Sequence, residues 1–217
     1  MTMTKLPTIA RATLLSAALA GAALTSLSVA APTQALAQAA TANAAADTAF
    51  IQSLGQRLVA VVNGGGGNAE KKAQLQPMLN QDVDIDYIAR SCLGRFWRTA
   101  TPDQQQRYLA LFHKVLTNAI DDKLGEYRGV GISVGNAIVQ DGKSYVTTII
   151  TRPGQPTANV QWVVSHAGGA PKIDDVVIEG ISLSVTQRSD YASYLAHNGN
   201  SIDALLNALE SKIARQS

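Results

Sequence analysis

With a single cysteine in 217 residues, the chain has no disulfide framework and no cysteine-built zinc site. Aromatic residues make up only 5% and charged residues only 16%. Neither sign of charge dominates: 18 Lys and Arg face 16 Asp and Glu, a formal net charge of +2. That balance lacks the basic excess of a nucleic-acid binder. Catalytic signatures are missing as well. Gly131-Ile132-Ser133-Val134-Gly135 has the Gly-x-Ser-x-Gly spacing, but it falls at the start of a period-two stretch with no helix after it, so it makes no nucleophile elbow. Gly142-Lys143-Ser144 resembles the end of a nucleotide-binding P-loop, but position 137 is Ala137, and the tripeptide lies at a hairpin, not between a strand and a helix. Asp82-Val83-Asp84-Ile85-Asp86 begins like a calcium loop, yet Tyr87 stands where the sharp turn needs Gly and Leu93 where the last ligand needs Glu. His113, His166 and His197 show no metal-ligand spacing and read as surface or capping residues. Asp174-Asp175 falls in a strand, so the two carboxylates should point to opposite faces. The chain therefore reads as a non-enzyme without metal or cofactor.

What the sequence has in quantity is apolar surface, 46% of residues, too much for disorder. It is unevenly placed. Lys5 and Arg11 are the only charges before Asp47, and between them and residue 31 runs a stretch rich in Ala, Leu and Val. Ala35-Leu36-Ala37 follows. This order predicts a cleaved secretory leader over 1–37 and a periplasmic or extracellular mature chain. No Cys follows the apolar run, so a lipid-anchored form is not expected. Removing the leader takes away two basic residues and leaves 16 of each sign, a neutral protein.

The mature chain divides into helices, then strands, then helices. Residues 38–46 read as a flexible N-terminus. Phe50, Ile51, Leu54, Leu58, Val61 and Val62 have helical spacing, ended by Gly64–Gly67, a flexible link. A short helix is expected near Ala69–Leu79 and another at Ile85–Leu93, capped by Asp82 and Asp84. Thr101-Pro102-Asp103-Gln104 is a capping box for a long helix whose apolar stripe runs from Tyr108 to Tyr127. Beyond Gly129 the period becomes two. Strands are expected at Ile132–Gln140, Lys143–Thr151, Thr157–Ser165 and Lys172–Glu179, with Asp141-Gly142 as a tight hairpin turn and Gly180 closing the sheet. Helices at Val185–His197 and at Ile202–Ala214, capped by Ser201, end the chain. The class is α+β, a four-stranded antiparallel curved sheet with flanking helices, in one domain over 47–217. Cys92 reads as a small buried hydrophobe. Arg90, Arg95, Arg98 and Arg107 gather near Phe96 and Trp97. They read first as a solvated face beside a core aromatic, and second as a surface for an anionic head group or an acidic partner.

Two stretches carry a family resemblance. Leu93-Gly94-Arg95-Phe96-Trp97-Arg98-Thr99-Ala100-Thr101-Pro102-Asp103-Gln104, preceded by Asp84-x-x-x-Ile88-Ala89, is the first. Asp175-Val176-Val177-Ile178-Glu179-Gly180-Ile181-Ser182-Leu183, running on to Thr186-Gln187-Arg188-Ser189-Asp190-Tyr191, is the second. Both resemble the MlaC-like, or toluene-tolerance auxiliary, family of periplasmic phospholipid-binding proteins. Gln187 departs from the family's usual Tyr. The resemblance implies a nuclear-transport-factor-2-like sheet and helices enclosing an apolar pocket for acyl chains. It also implies a glycerophospholipid ligand, an inner-membrane ABC transporter complex and an outer-membrane donor or acceptor complex. Hopanoid-associated relatives share the motifs, so a polycyclic lipid is the alternative ligand; a small periplasmic enzyme on the same fold is a further one. The strand faces Val160, Trp162, Val164 and Val146, Thr148, Ile150 offer an apolar wall that Leu116 and Ile120 could close. Trp97, Phe112, Tyr127, Val176, Ile178, Ile181 and Leu183 complete the candidate lining. The same residues would serve equally as ordinary core, and the sequence leaves that choice open.

Overall fold

The computed structural model describes residues 32–216. The expected leader lies for the most part outside the described residues. Pro32–Asn63 forms α1, so residues 38–46 are helical where a flexible segment was expected. The physical reason is composition: alanine gives up no side-chain entropy in a helix, and this stretch is mostly alanine. After the glycine link come α2 (Asn68–Asp82) and α3 (Ile85–Leu93). Asp84 caps α3, its Oδ1 accepting from the Tyr87 amide at 2.9 Å. Asp82 does not cap; its buried carboxylate takes the Arg57 guanidinium of α1 at 2.8 Å. Gly94 ends α3 at φ +59, and a Cβ there would meet Arg188 Cδ at 2.9 Å, so only glycine fits. A 3-10 segment, Gly94–Arg98, leads to α4 (Pro102–Lys123). The capping box is formed in both directions, with the Gln104 amide donating to Thr101 Oγ1 at 3.2 Å and the Thr101 amide to Gln104 Oε1 at 3.0 Å.

The sheet follows as an antiparallel meander in the order β1 (Gly131–Gln140), β2 (Lys143–Thr151), β3 (Ala158–Ser165), β4 (Lys172–Ile178) and β5 (Ile181–Ser182). Asp141 and Gly142 both have positive φ, as a two-residue hairpin of this hand requires. The expected four strands become five for the same reason. Glu179 (φ +49) and Gly180 (φ +80) form a second tight hairpin, and the chain pairs back for two residues instead of leaving the sheet. Register shifts at Val134/Ala137 and at Val163/Val164 mark bulges that bend the sheet. Two helices close the chain, α5 (Leu183–His197) and α6 (Ile202–Ala214), each with a serine N-cap, Ser182 and Ser201.

Packing separates two halves. α1 lies on the concave face of the sheet, mainly over β1 and β2, where Ile51 and Leu54 cover Val146 of β2 and Val164 of β3. Asp47 fixes it there: its fully buried carboxylate accepts from Ser144 Oγ at 2.5 Å and lies 2.8 Å from His166 Nε2. The other helices pack on one another around Leu93, Tyr108, Leu195 and Leu206. Val83 bridges to Ile173, and the Asp84 amide donates to the Ile173 carbonyl at 2.8 Å, joining the helical half to β4. Among the described residues no helix is long and apolar enough to cross a membrane.

Candidate functional site

The two halves do not meet completely. Between the β3–β4 side of the concave face and the helices lies a cavity of about 430 Å³. Its walls follow from the elements already described. Leu79 and Val83 come from the end of α2, and Ile88 and Cys92 from one face of α3, four residues apart. α4 contributes Phe112, Leu116 and Ile120, again four residues apart. The sheet contributes Trp162, Ile173 and Val176, of which Trp162 and Val176 are direct cross-strand partners. The start of α5 closes the last side with Leu183, Ser184, Thr186, Gln187 and Asp190. Nearly all of this surface is hydrocarbon; the polar groups gather on the α5 side, where Leu183 is 47% exposed and marks the mouth.

Of the fourteen residues expected to line a pocket, six do so: Phe112, Leu116, Ile120, Trp162, Val176 and Leu183. The others lie elsewhere, each for a packing reason. Val146 and Val164 are fully buried beneath α1. Val160 is buried as well. Ile150 packs with Val62, Leu75 and Val130 near the far end of α1. Trp97 lies against Tyr108, ring centroids 6.5 Å apart, in the helical core. Tyr127 is at the surface beneath the Arg152 guanidinium. Ile178 and Ile181 pair across the β4–β5 hairpin and are exposed, Ile181 by 61%. Leu79, Val83, Ile88, Cys92 and Ile173 were missed. Their helical spacing marked Ile88 and Cys92 as inward-facing but could not say whether they face protein or empty space.

Electrostatics at the α5 side centre on Asp175. Its carboxylate accepts from Ser182 Oγ at 2.5 Å, Ser184 Oγ at 2.8 Å and the Ser184 amide at 3.1 Å, so one side chain ties the start of α5 to β4. Burial pushes the Cys92 thiol up to about 12, with the Asp175 charge adding to the effect. The thiol donates weakly to the Ser184 carbonyl at 3.8 Å and is no nucleophile at neutral pH. Asp174 and Asp175 do not part cleanly across the sheet as strand alternation predicts. The bulge opposite Val163/Val164 breaks the alternation, and both border a separate polar recess of about 330 Å³ with Tyr87 and Arg188. There Lys143 Nζ sits 2.7 Å from Asp174 Oδ2 and donates to Tyr87 Oη at 2.9 Å. Burial alone would lower this ammonium, but the bonds to Asp174 and Tyr87 outweigh it and the pKa is raised.

Nothing in these groups forms a nucleophile–base pair. Ser144 and His166 both bond to the Asp47 carboxylate, which clamps α1 to the sheet. His113 pairs with Asp86 at 2.7 Å, and His197 lies against the Ser193 carbonyl. Among the described residues no group of three or more His, Cys, Asp or Glu could hold a metal ion. The arginines stay away from the cavity. Arg107 pairs with Glu210 at 2.9 Å, Arg95 lies over the Phe96 ring, and Arg95 and Arg98 border a shallow recess of their own.

Comparison with known proteins gives concordant matches. The family model described as "MlaC protein" matches residues 52–211. The toluene tolerance protein ttg2D of Pseudomonas putida is 30% identical over 143 residues, which is 65% of this chain and 66% of that protein, just under two thirds of its length. The structure of a phospholipid-binding protein from Ralstonia solanacearum, solved in complex with a phospholipid, superposes with a TM-score of 0.69. At 20% identity it covers 78% of this chain and 97% of the other, and so shares the fold.

Proposed function

The chain belongs to the MlaC family, and from that premise we propose that it is a periplasmic lipid carrier whose cavity holds the acyl chains of a glycerophospholipid. The observation that carries this reading is the apolar cavity between Trp162 and Val176 of the sheet and Phe112, Leu116 and Ile120 of α4. The physics of such a carrier needs no catalytic group. Two acyl chains hold about thirty methylenes, and at about 0.8 kcal/mol each their exposure to water costs roughly 24 kcal/mol. Free transfer across an aqueous compartment is therefore prohibitive. Moving methylenes from a bilayer into a similarly apolar cavity costs little, so loading and release are reversible; at about 30 Å³ each the cavity of about 430 Å³ takes about half of them, and the rest enter only as it widens.

Direction must then come from partners. The carrier exchanges lipid between an outer-membrane complex and an inner-membrane ABC transporter complex, which supplies the nucleotide chemistry. The leader over 1–37 directs export and is removed, and residues 47–217 form the lipid-binding domain. Protein purified without detergent from a bacterial host is expected to release glycerophospholipid into organic extract, near one molecule per chain by mass spectrometry. A lipid-free extract from folded protein would overturn the reading.

A further inference from the structure

The polar groups at the cavity mouth are of one kind. Two carboxylates line the cavity, Asp175 and Asp190, and no lysine or arginine does. Asp175 is spent, its oxygens taken up by Ser182 and Ser184. Asp190 differs: it is exposed, and it stands one turn beyond Thr186 and Gln187 on the same face of α5. The nearby cations line a different recess, although Arg188 is close enough for its charge to act on the Cys92 thiol of the cavity wall. Arg188 borders the polar recess behind β4, and Lys143 is held there by Asp174 and Tyr87. A lipid seated with its chains in the cavity would present its head group at this mouth, beside a free negative charge and the neutral Thr186 and Gln187 side chains.

We propose that Asp190 is a specificity-determining residue, which makes the cavity select phospholipids whose head group carries a protonated amine over those with an anionic head group. This rests on the lipid-carrier reading above and names the substrate class of that same site. The ammonium of an ethanolamine head carries three donors and a positive charge, which the Asp190 carboxylate accepts. A glycerol head offers only hydroxyls and leaves the phosphate charge uncompensated next to a carboxylate. For unit charges about 6 Å apart at a wet surface, the preference amounts to about three- to tenfold. It weakens as salt rises, because the mouth is open to solvent.

The test uses the full mature protein, stripped of lipid and incubated with vesicles of equal ethanolamine and glycerol phospholipids of identical acyl chains. The lipid taken up is read by mass spectrometry. The wild type is expected to take up the ethanolamine lipid in about three- to tenfold excess, Asp190→Asn to approach parity, and Asp190→Lys to favour the glycerol lipid. Asp190 is exposed, so both variants should fold, which circular dichroism checks. Equal uptake by the wild type, or a ratio unmoved in both variants, overturns the proposal while leaving the carrier reading intact. Uptake of neither lipid overturns both.

Discussion

Replacing Leu116 by tryptophan separates a lipid cavity from an ordinary core. Leu116 is half-buried on α4 and faces the cavity with Phe112 and Ile120. Tryptophan adds about 60 Å³ to the side chain, a volume that close-packed protein cannot absorb. At about 30 Å³ each, close to a water molecule's share of liquid, that is the space of about two methylenes. Displacing two methylenes of a bound chain costs about 1.6 kcal/mol, or about 15-fold in lipid affinity. The delipidated protein should hardly notice, because the larger ring enters a cavity of about 430 Å³. A close-packed site would instead lose about 1–3 kcal/mol through overpacking. Two measurements decide: urea unfolding of the delipidated variant, and lipid uptake from vesicles. Weaker uptake at unchanged unfolding midpoint is the expected result. A variant that is destabilised by more than about 1 kcal/mol yet still loads lipid normally would refute the reasoning, since Leu116 would then be packed against protein.

Three other outcomes follow from the same structure. Cys92 should resist thiol reagents in the folded protein at pH 8 and react once the chain is unfolded; its folded thiol at about 12 lies above the ordinary value of 9.0. Below pH 9 both states keep the proton, and between 9 and 12 only the unfolded state loses it. Stability should therefore fall as pH rises through that window, with a slope that Cys92→Ala reduces most between about pH 9 and 10, below the range where the buried Tyr108 and Tyr191 hydroxyls, also raised, add theirs. Asp175→Ala leaves Ser182, Ser184 and the Ser184 amide without their acceptor; a loss of about 2–4 kcal/mol in urea unfolding is expected, and a loss under about 1 kcal/mol would show that α5 is held by something else. Asp47→Ala orphans the buried Ser144 and removes the partner of the half-exposed His166, and should cost about 2 kcal/mol; retained protection of α1 amides in hydrogen exchange would contradict its role as the clamp.

Much of the architecture is written in local chemistry. The Thr101–Gln104 box, the Asp141-Gly142 turn and the Ser201 cap each act over three or four residues, so their outcome does not depend on the rest of the chain. Where sequence reasoning failed, the deciding interaction was distant or the local signal was weak. The Glu179-Gly180 turn holds a glutamate at positive φ, an unfavourable residue for that place; the Glu179 carboxylate bonds the Asn159 amide at 2.6 Å across on β3. Asp82 had the position of a cap, but Arg57, 25 residues earlier, claims its carboxylate.

The division between core and cavity illustrates the limit most sharply. Val146, Trp162 and Val176 form one row across β2, β3 and β4, side by side on the same face. Alternation places all three inward and gives no reason to treat them differently. Their fates diverge because α1 packs mainly on β1 and β2, where Ile51 and Leu54 bury Val146 completely, while Trp162 and Val176 lie at the margin of the same cluster and stay half-buried. At that margin the other helices do not close over Trp162 and Val176: the Val83-Asp84 link into α3 is tied to β4, and the start of α5 is fixed to Asp175. The cavity is thus the space left between two sets of anchors. Its lining is set by two anchors, Asp47 on one side and Asp175 on the other, and the Asp175 carboxylate also accepts from the Val176 amide at 2.8 Å. A pattern of apolar residues cannot encode that boundary, because polar contacts made elsewhere in the fold set it.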